Sequence, residues 1–471
     1  MSRKNKTAFT LAGCASFGIL YAPNKLLGLF FIHLQRDLDS SASLTSLALG
    51  INLSLMYLYG PIETVIFKKC GARIAAVIGI ILSSFGFALS SFMTNVELIA
   101  VSFGIFTALG VGICNLSWYT MSGHAVPERL SFVNNMFSTS HSMVGFVMAP
   151  LTQYLIELYG WRGALLLTGG IILNALPLGL LMTWYYKMIL SNKLKVKSNN
   201  NDSHIPAEDS TSNELPCCEK DGQSTKRKSG ETMKSGSPET WKRLLTNRYF
   251  VCYAFAMSFV TVSRFSVGLY TVRYAQSVGI NESKAIWIIT LQELSSVLVG
   301  PISGYLTSFS ASSIRKMSIR DQDSTGVRRR MSITYRSCVS IRRSRILAIF
   351  SILFSLSIMI PVLFETFVGF LVGGFFNGIF AGSTTALPVT ILSDFFRSED
   401  LAAAQGLRCL LAGIWLIVYP FTVGSIIDMT GSYRPAQYFA AFFSLCCAGF
   451  TMITEIGLNN NMKKNTLSTM A

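Results

Sequence analysis

The chain has 471 residues, 51% of them hydrophobic and 14% charged, with a mean hydropathy of +0.45; that composition belongs to polytopic membrane proteins and not to water-soluble domains. Its 40 Lys and Arg against 24 Asp and Glu leave a formal charge of +16, which on a soluble chain would point to nucleic acid, but the placement of the charges excludes that partner here. No residue pattern pairs a nucleophile or metal with its required partners and no Gly-x-x-x-x-Gly-Lys-Ser/Thr loop occurs, which argues against an enzyme, a bound cofactor and an ATP-driven pump.

Runs of about 20 apolar residues predict twelve membrane-spanning helices, at roughly 8–34, 44–66, 74–94, 98–121, 131–156, 163–186, 249–271, 285–307, 346–364, 368–393, 401–427 and 435–456. With the amino terminus in the cytoplasm, 32 of the 40 Lys and Arg lie on inner segments, 5 on outer loops and 3 inside spans. The positive-inside rule therefore places both termini in the cytoplasm. Arg3, Lys4 and Lys6 precede an apolar run too long for a signal-peptide core, so the first helix is expected to stay. All ten cysteines fall in spans or on the inner side, which predicts no disulfide framework.

The first span holds a single lysine, in Tyr21-Ala22-Pro23-Asn24-Lys25-Leu26-Leu27-Gly28. An unpaired lysine at mid-bilayer costs roughly 2.5–3.5 kcal/mol on the mildest insertion scale, so a polar cavity is the expected surrounding and a functional site the expected reason. The second span ends in Gly60-Pro61-Ile62 before a basic turn that runs to Arg73, and Gly300-Pro301-Ile302 closes the eighth in the same way. Pro150-Leu151-Thr152, with Glu157 and Gly160 after it, is echoed by Pro420-Phe421-Thr422, with Asp428 and Gly431. These echoes predict an all-α membrane protein of two six-helix parallel repeats with a site between them near the midplane.

The expected units are a first bundle over 1–186, a disordered cytoplasmic linker over 187–247, a second bundle over 248–456 and a tail over 457–471. Within the second bundle an insertion at 308–345 carries ten basic residues, a candidate for adhesion to anionic inner-leaflet lipid at about 1 kcal/mol per basic residue near the surface. Ser318 and Ser332 follow basic residues there, as kinase targets do.

Over essentially all twelve spans the chain resembles the monocarboxylate transporters of the major facilitator superfamily. The resemblance is carried by Gly60-Pro61 with Gly71-Ala72-Arg73, by Tyr159-Gly160-Trp161-Arg162-Gly163-Ala164-Leu165, and by Asp428-Met429-Thr430-Gly431-Ser432-Tyr433. It implies a plasma-membrane carrier that moves small carboxylates by alternating access, in several members with a proton and with an accessory single-span glycoprotein. Lys25 falls where members carry a first-helix lysine that receives the proton and attracts the carboxylate, and Arg129 fits the middle basic residue of the motif leading into the fifth span. Two features depart from the pattern. The acidic-Gly-X-Trp-Gly-Trp opening is absent, and Ser296 and Gly300 occupy the eighth-span positions of an aspartate and of the arginine that grips the carboxylate in the family.

Replacements for that pair are available within the spans. Glu293 lies three residues before Ser296, on nearly the same helical face, and can carry a proton. Arg264 and Arg408 can each clasp a carboxylate through two parallel hydrogen bonds. His141 titrates in the physiological range, and Asn135 with the hydroxyls at 138–140 can line a polar cavity. The sequence-based expectation is thus a secondary transporter of monocarboxylates or related organic acids, with solute and proton handled by Lys25, Glu293, Arg264, His141, Asn135 and Arg408. Gly60, Pro61, Arg73, Arg129, Gly300, Pro301 and Asp428 are the expected gating and structural positions. Two alternatives remain open: a proton-independent uniporter of an amino-acid-like or aromatic metabolite, and a nontransporting nutrient receptor built on a carrier fold.

Overall fold

The computed structural model describes residues 3–126, 130–201, 238–320, 327–395 and 398–467. The first half comprises α1 (Arg3–Lys25), α2 (Leu27–Asp37), α3 (Ala42–Leu58), α4 (Gly60–Ser91), α5 (Val96–Ser102), a π-helical turn (Phe103–Thr107), α6 (Ala108–Ala125), α7 (Leu130–Leu173) and α8 (Ala175–Asn201). The second comprises α9 (Pro238–Thr246), α10 (Arg248–Ser277), α11 (Glu282–Arg320), α12 (Val327–Leu363), α13 (Phe367–Phe395), α14 (Ser398–Thr430) and α15 (Arg434–Leu467). All twelve predicted spans are helical. Among the described residues nine helical stretches are long and apolar enough to cross a membrane; one of these, Phe132–Ser191, holds two predicted spans in succession, and Ala42–Leu58 is a shorter apolar helix.

Glycine decides where long helices fold back. Gly71 (φ 74°) turns α4 between the second and third spans, and Gly160 (φ 68°) turns α7 between the fifth and sixth. Gly431 has φ 65° at the corresponding point of the second half. A positive φ is free of strain only for glycine, so the paired Gly160 and Gly431 of the internal echo do the same job in each repeat.

Within the first half α4 packs on α6 and α7, and α1 on α7 and α8; within the second, α10 packs on α14 and α15, and α12 on α13 and α15. The halves meet through α7 against α11, α3 against α14, and α2 against α10. Small groups allow this approach. A Cβ on Gly28 would collide with the Gly268 carbonyl, one on Gly50 with Pro420, one on Gly413 with Leu58, and one on Gly424 with Ser43. Large apolar side chains such as Phe85, Val147, Leu356 and Phe442 are exposed on the perimeter, the surface a bilayer covers. There association rests on close packing and hydrogen bonds, because lipid is as apolar as leucine.

Six short turns are knitted together on one face, called here the turn face. Trp161 Nε1 donates to Asp37 at 2.6 Å, and Arg162 donates to the carbonyls of Ser91 and Met93. Arg434 holds Glu365 by two hydrogen bonds of 2.7 Å, which keep the Glu365 carboxyl below the usual carboxylate range. Other contacts on this face join the two halves. Asp428 accepts from the backbone N–H groups of Ala42 and Ser43 at 2.7 and 2.9 Å, capping α3 from the opposite half. Arg273 donates to Tyr433, and both reach Gln35. His33 donates to Glu282 at 2.9 Å, and Gln153 bridges Glu282 and Glu157. The His33 hydrogen bond, supported by Gln153 and Arg36, outweighs burial and holds Glu282 below its ordinary range.

The expected linker contains the last part of α8, to Asn201, and all of α9, and 202–237 lie outside the described residues. The basic insertion includes the end of α11 and the start of α12. The side chains of 303–342, Ser318 and Ser332 among them, lie outside the description, as do Arg129 and the side chains of Pro61, Pro301 and 457–471. Gly60 opens α4 and Arg73 is exposed.

Removing the Asp428 cap, as Asp428→Asn, should cost the closed turn face about 1 kcal/mol, roughly a fivefold larger open fraction. Spin labels on Ser40 and Ser432 report it as a population at longer distance. A carboxyl held low stabilises in its ionised form. Glu282 therefore contributes fully above the ordinary value of 4.5 and its contribution fades as pH falls through the lowered one. The same labels should show the turn face loosening below about pH 4.5, and Glu282→Gln should be loose already at neutral pH.

Candidate solute-binding site

Proline sets the geometry of the first span. Pro23 has no N–H to give to the preceding turn, α1 ends two residues later at Lys25, and Leu26 leaves helical geometry (φ −90°, ψ 5°) before α2 begins. The chain crosses the gap by tight turns, with Leu26 N donating to Pro23 O at 3.1 Å and Leu29 N to Leu26 O at 2.9 Å. A helix broken at membrane depth is tolerated where it lines a cavity. Lys25 stands at this break.

Its ammonium donates to both carboxylate oxygens of Glu293 on α11, each at 2.8 Å, and to Ser142 Oγ on α7 at 3.3 Å. The side chain of Lys25 retains 27% exposure and that of Glu293 only 4%. The lysine thus faces a hollow while the carboxylate is enclosed. Gly145, one turn along α7 from His141, leaves ordinary contact distance for the Glu293 carboxyl. Ser142 lies 3.3 Å from His141 Nδ1, and the His141 ring leans on Tyr21 with centroids 5.6 Å apart. A continuous chain of polar atoms therefore runs from His141 through Ser142 to the Lys25–Glu293 pair.

The hollow is a cavity of about 160 Å³ between the halves. Lys25, His141, Asn135, Ser138, Thr139 and Glu293 line it, as does Arg264 from α10. Among the described residues Arg264 has no hydrogen-bond or ion-pair partner, and its side chain is only partly buried. With Lys25 matched by Glu293, the cavity keeps one uncompensated cation. Turnwards of the site, Gly28 against Gly268 closes the passage.

Five of the six expected solute and proton residues therefore share one cavity. Arg408 does not line it. Its guanidinium donates to Gln405 Oε1 at 3.2 Å and to Cys409 Sγ at 3.6 Å, on its own helix. The eighth-span positions that break the family pattern have a local explanation. Ser296 is 8% exposed and donates to the Gly378 carbonyl at 2.8 Å, and any side chain on Gly300 would strike Thr139 of α7. The site also includes residues that sequence reasoning missed: Asn24, Ser142, Gln292, and the aromatic Tyr21, Tyr57, Phe265 and Phe354. Ser142 adjoins a singled-out histidine and Asn24 adjoins Lys25; the aromatic residues gave no signal in a chain where 12% of residues are aromatic.

Comparison with known proteins agrees with this architecture. A family model described as Major Facilitator Superfamily matches residues 13–320. Monocarboxylate transporter 12 of Mus musculus is 25% identical over 94% of this chain and 85% of its own length. Monocarboxylate transporter 12-B of Danio rerio is 24% identical over 97% and 89%, and monocarboxylate transporter 1 of Homo sapiens 23% identical over 96% and 85%. With two inward-facing repeats, a broken first helix and a charged hollow between them, the chain belongs to the major facilitator superfamily and is a divergent relative of its monocarboxylate transporters.

Proposed function

We propose that this membrane transporter carries small organic monoanions, monocarboxylates foremost, by alternating access across the plasma membrane, with the turn face outward and both termini in the cytoplasm. The observation that carries the reading is the charge of the cavity: Lys25 bound to Glu293 at 2.8 Å, and Arg264 beside them without a partner. A monocarboxylate would meet Arg264 through two hydrogen bonds and compete with Glu293 for Lys25. A zwitterion is the poorer fit, because the only carboxylate lining the cavity among the described residues is already taken.

Size points the same way. A closed cavity of about 150 Å³ takes one benzene molecule, so about 160 Å³ suits a carboxylate of few heavy atoms. Proton coupling follows from the same three charges. The empty site carries one net positive charge, and the entering anion cancels it. Glu293, displaced from Lys25 and enclosed, then takes up a proton, because a lone buried carboxylate is far more costly than a neutral one. Empty and fully loaded sites thus bear equal charge, and the cycle moves no net charge. Closure of the opposite gate around the loaded site, with rocking of the two halves, completes the transfer.

Radiolabelled uptake of lactate and pyruvate in cells of low background tests the reading. Lys25→Gln should abolish uptake while the protein still reaches the surface, and Arg264→Gln should raise KM at least tenfold, with Arg264→Lys between it and the parent. Undiminished uptake by Lys25→Gln would remove the proposed role. Uptake should be faster at an outer pH of about 6 than at about 8, the window over which proton supply changes most for such sites, and Glu293→Gln should lose that difference. Gly300→Arg, which restores the family residue, should lower the amount of folded carrier, since its side chain has no room beside Thr139.

A further inference from the structure

Below the solute cavity the first half encloses a second carboxyl. Glu63, one turn into α4, is 5% exposed, and its Oε1 is sealed without a hydrogen-bond partner. Among the described residues it has no ion-pair partner either. Gly112 of α6 packs directly on this oxygen, and any side chain there would overlap it. Nor does Glu63 line the solute cavity. The titratable groups whose charge interacts with it are thiols, Cys114 on α6 and Cys409 on α14 of the opposite half; no such group on α7 or α8 is among its described neighbours.

A carboxylate in this position lacks both water and a counter-charge, and such a group keeps its proton instead of its charge. An unsatisfied buried acid in a native protein calls for a physical reason. The neighbouring half supplies one. Arg408 precedes Cys409 on α14, and in this conformation its guanidinium is spent on Gln405 and on the Cys409 sulfur within its own helix. Those partners are neutral and readily exchanged, and α14 belongs to the half that must move when the turn face opens and the opposite end closes.

We propose that Glu63 is a proton-binding site of the carrier, separate from the solute cavity, occupied while the turn face is shut and emptied when α14 brings Arg408 against it. The proton leaves the Glu63 O–H for water at the end of the molecule opposite the turn face, and the carboxylate so formed pairs with the guanidinium. The return to the present conformation requires a proton to be taken up again. One protonation step would thereby be tied to the movement of the halves and not to the solute.

An apolar carbodiimide, which adds to protonated carboxyls in apolar surroundings, tests occupancy on the unaltered chain in proteoliposomes without any solute. Mass spectrometry should find the adduct on Glu63, declining as pH rises; no adduct on Glu63 at any pH overturns the proposal. Infrared difference spectra should show a protonated-carboxyl C=O band that is missing in Glu63→Gln, and an unchanged band is equally fatal. The pairing step is read from pH profiles of radiolabelled lactate exchange. Glu63→Gln and Arg408→Gln should each flatten the profile with little change in KM, and the double variant should be no flatter than either. Additive effects, or a parental profile in Glu63→Gln, overturn the coupling. Failure of lactate to be carried at all would count against the monocarboxylate reading and leave the adduct and infrared results to decide on Glu63.

Discussion

One ion pair between the halves, Lys25 with Glu293, governs the middle of this molecule. Separating two such charges by deleting one partner costs 3–5 kcal/mol in a buried setting, although the intact pair can be no more stabilising than a packed apolar contact. Its worth therefore lies in what it specifies. Pro23 breaks the first helix at the depth where the lysine is wanted, Gly145 leaves room for the carboxylate, and Ser142 takes the third ammonium hydrogen bond. Each of these belongs to a different helix, so the pair also fixes how the two repeats meet.

In the proposed reading the solute competes for a bond that already holds the halves together. Binding and release of the central contact are then one event, which is what an alternating-access carrier needs: a ligand shifts a conformational equilibrium only by its differential interaction with the two states. The related transporters keep their gripping arginine on the eighth span, whereas here Thr139 fills that volume and the free guanidinium comes from α10. Moving the cation one helix along keeps the charge of the cavity while changing the direction from which a carboxylate is held.

The architecture was legible because membrane spans and charge bias are properties of composition and period, which a bilayer enforces on every helix. Lys25, Glu293 and Arg264 were legible for a related reason: a charge among apolar residues has few places to go. Arg408 satisfied the same criterion yet sits away from the cavity, since helix rotation decides which way a side chain faces and the sequence around 408 has no clear apolar stripe. Glu63 was passed over because it lies beside Gly60 and Pro61, where a span edge and a solvated carboxylate would read alike. The cross-half cap by Asp428 joins residues 386 apart in sequence, and no local pattern could announce its partner.

The π-helical turn at Phe103–Thr107 has a consequence for how the first half can vary. There Asn52 of α3 donates to the Phe103 carbonyl at 3.1 Å, occupying an acceptor that the wider winding leaves open. A π turn holds one residue more than regular winding needs. Deleting that residue would rotate everything after it by roughly 100° about the helix axis, carrying Gly112 away from Glu63 and Trp118 away from Phe17, with which it makes an edge contact at 5.9 Å. This widened coil therefore acts as a phase adjuster for the fourth span. Lineages that lose or gain a residue in it must re-time every inward-facing position downstream.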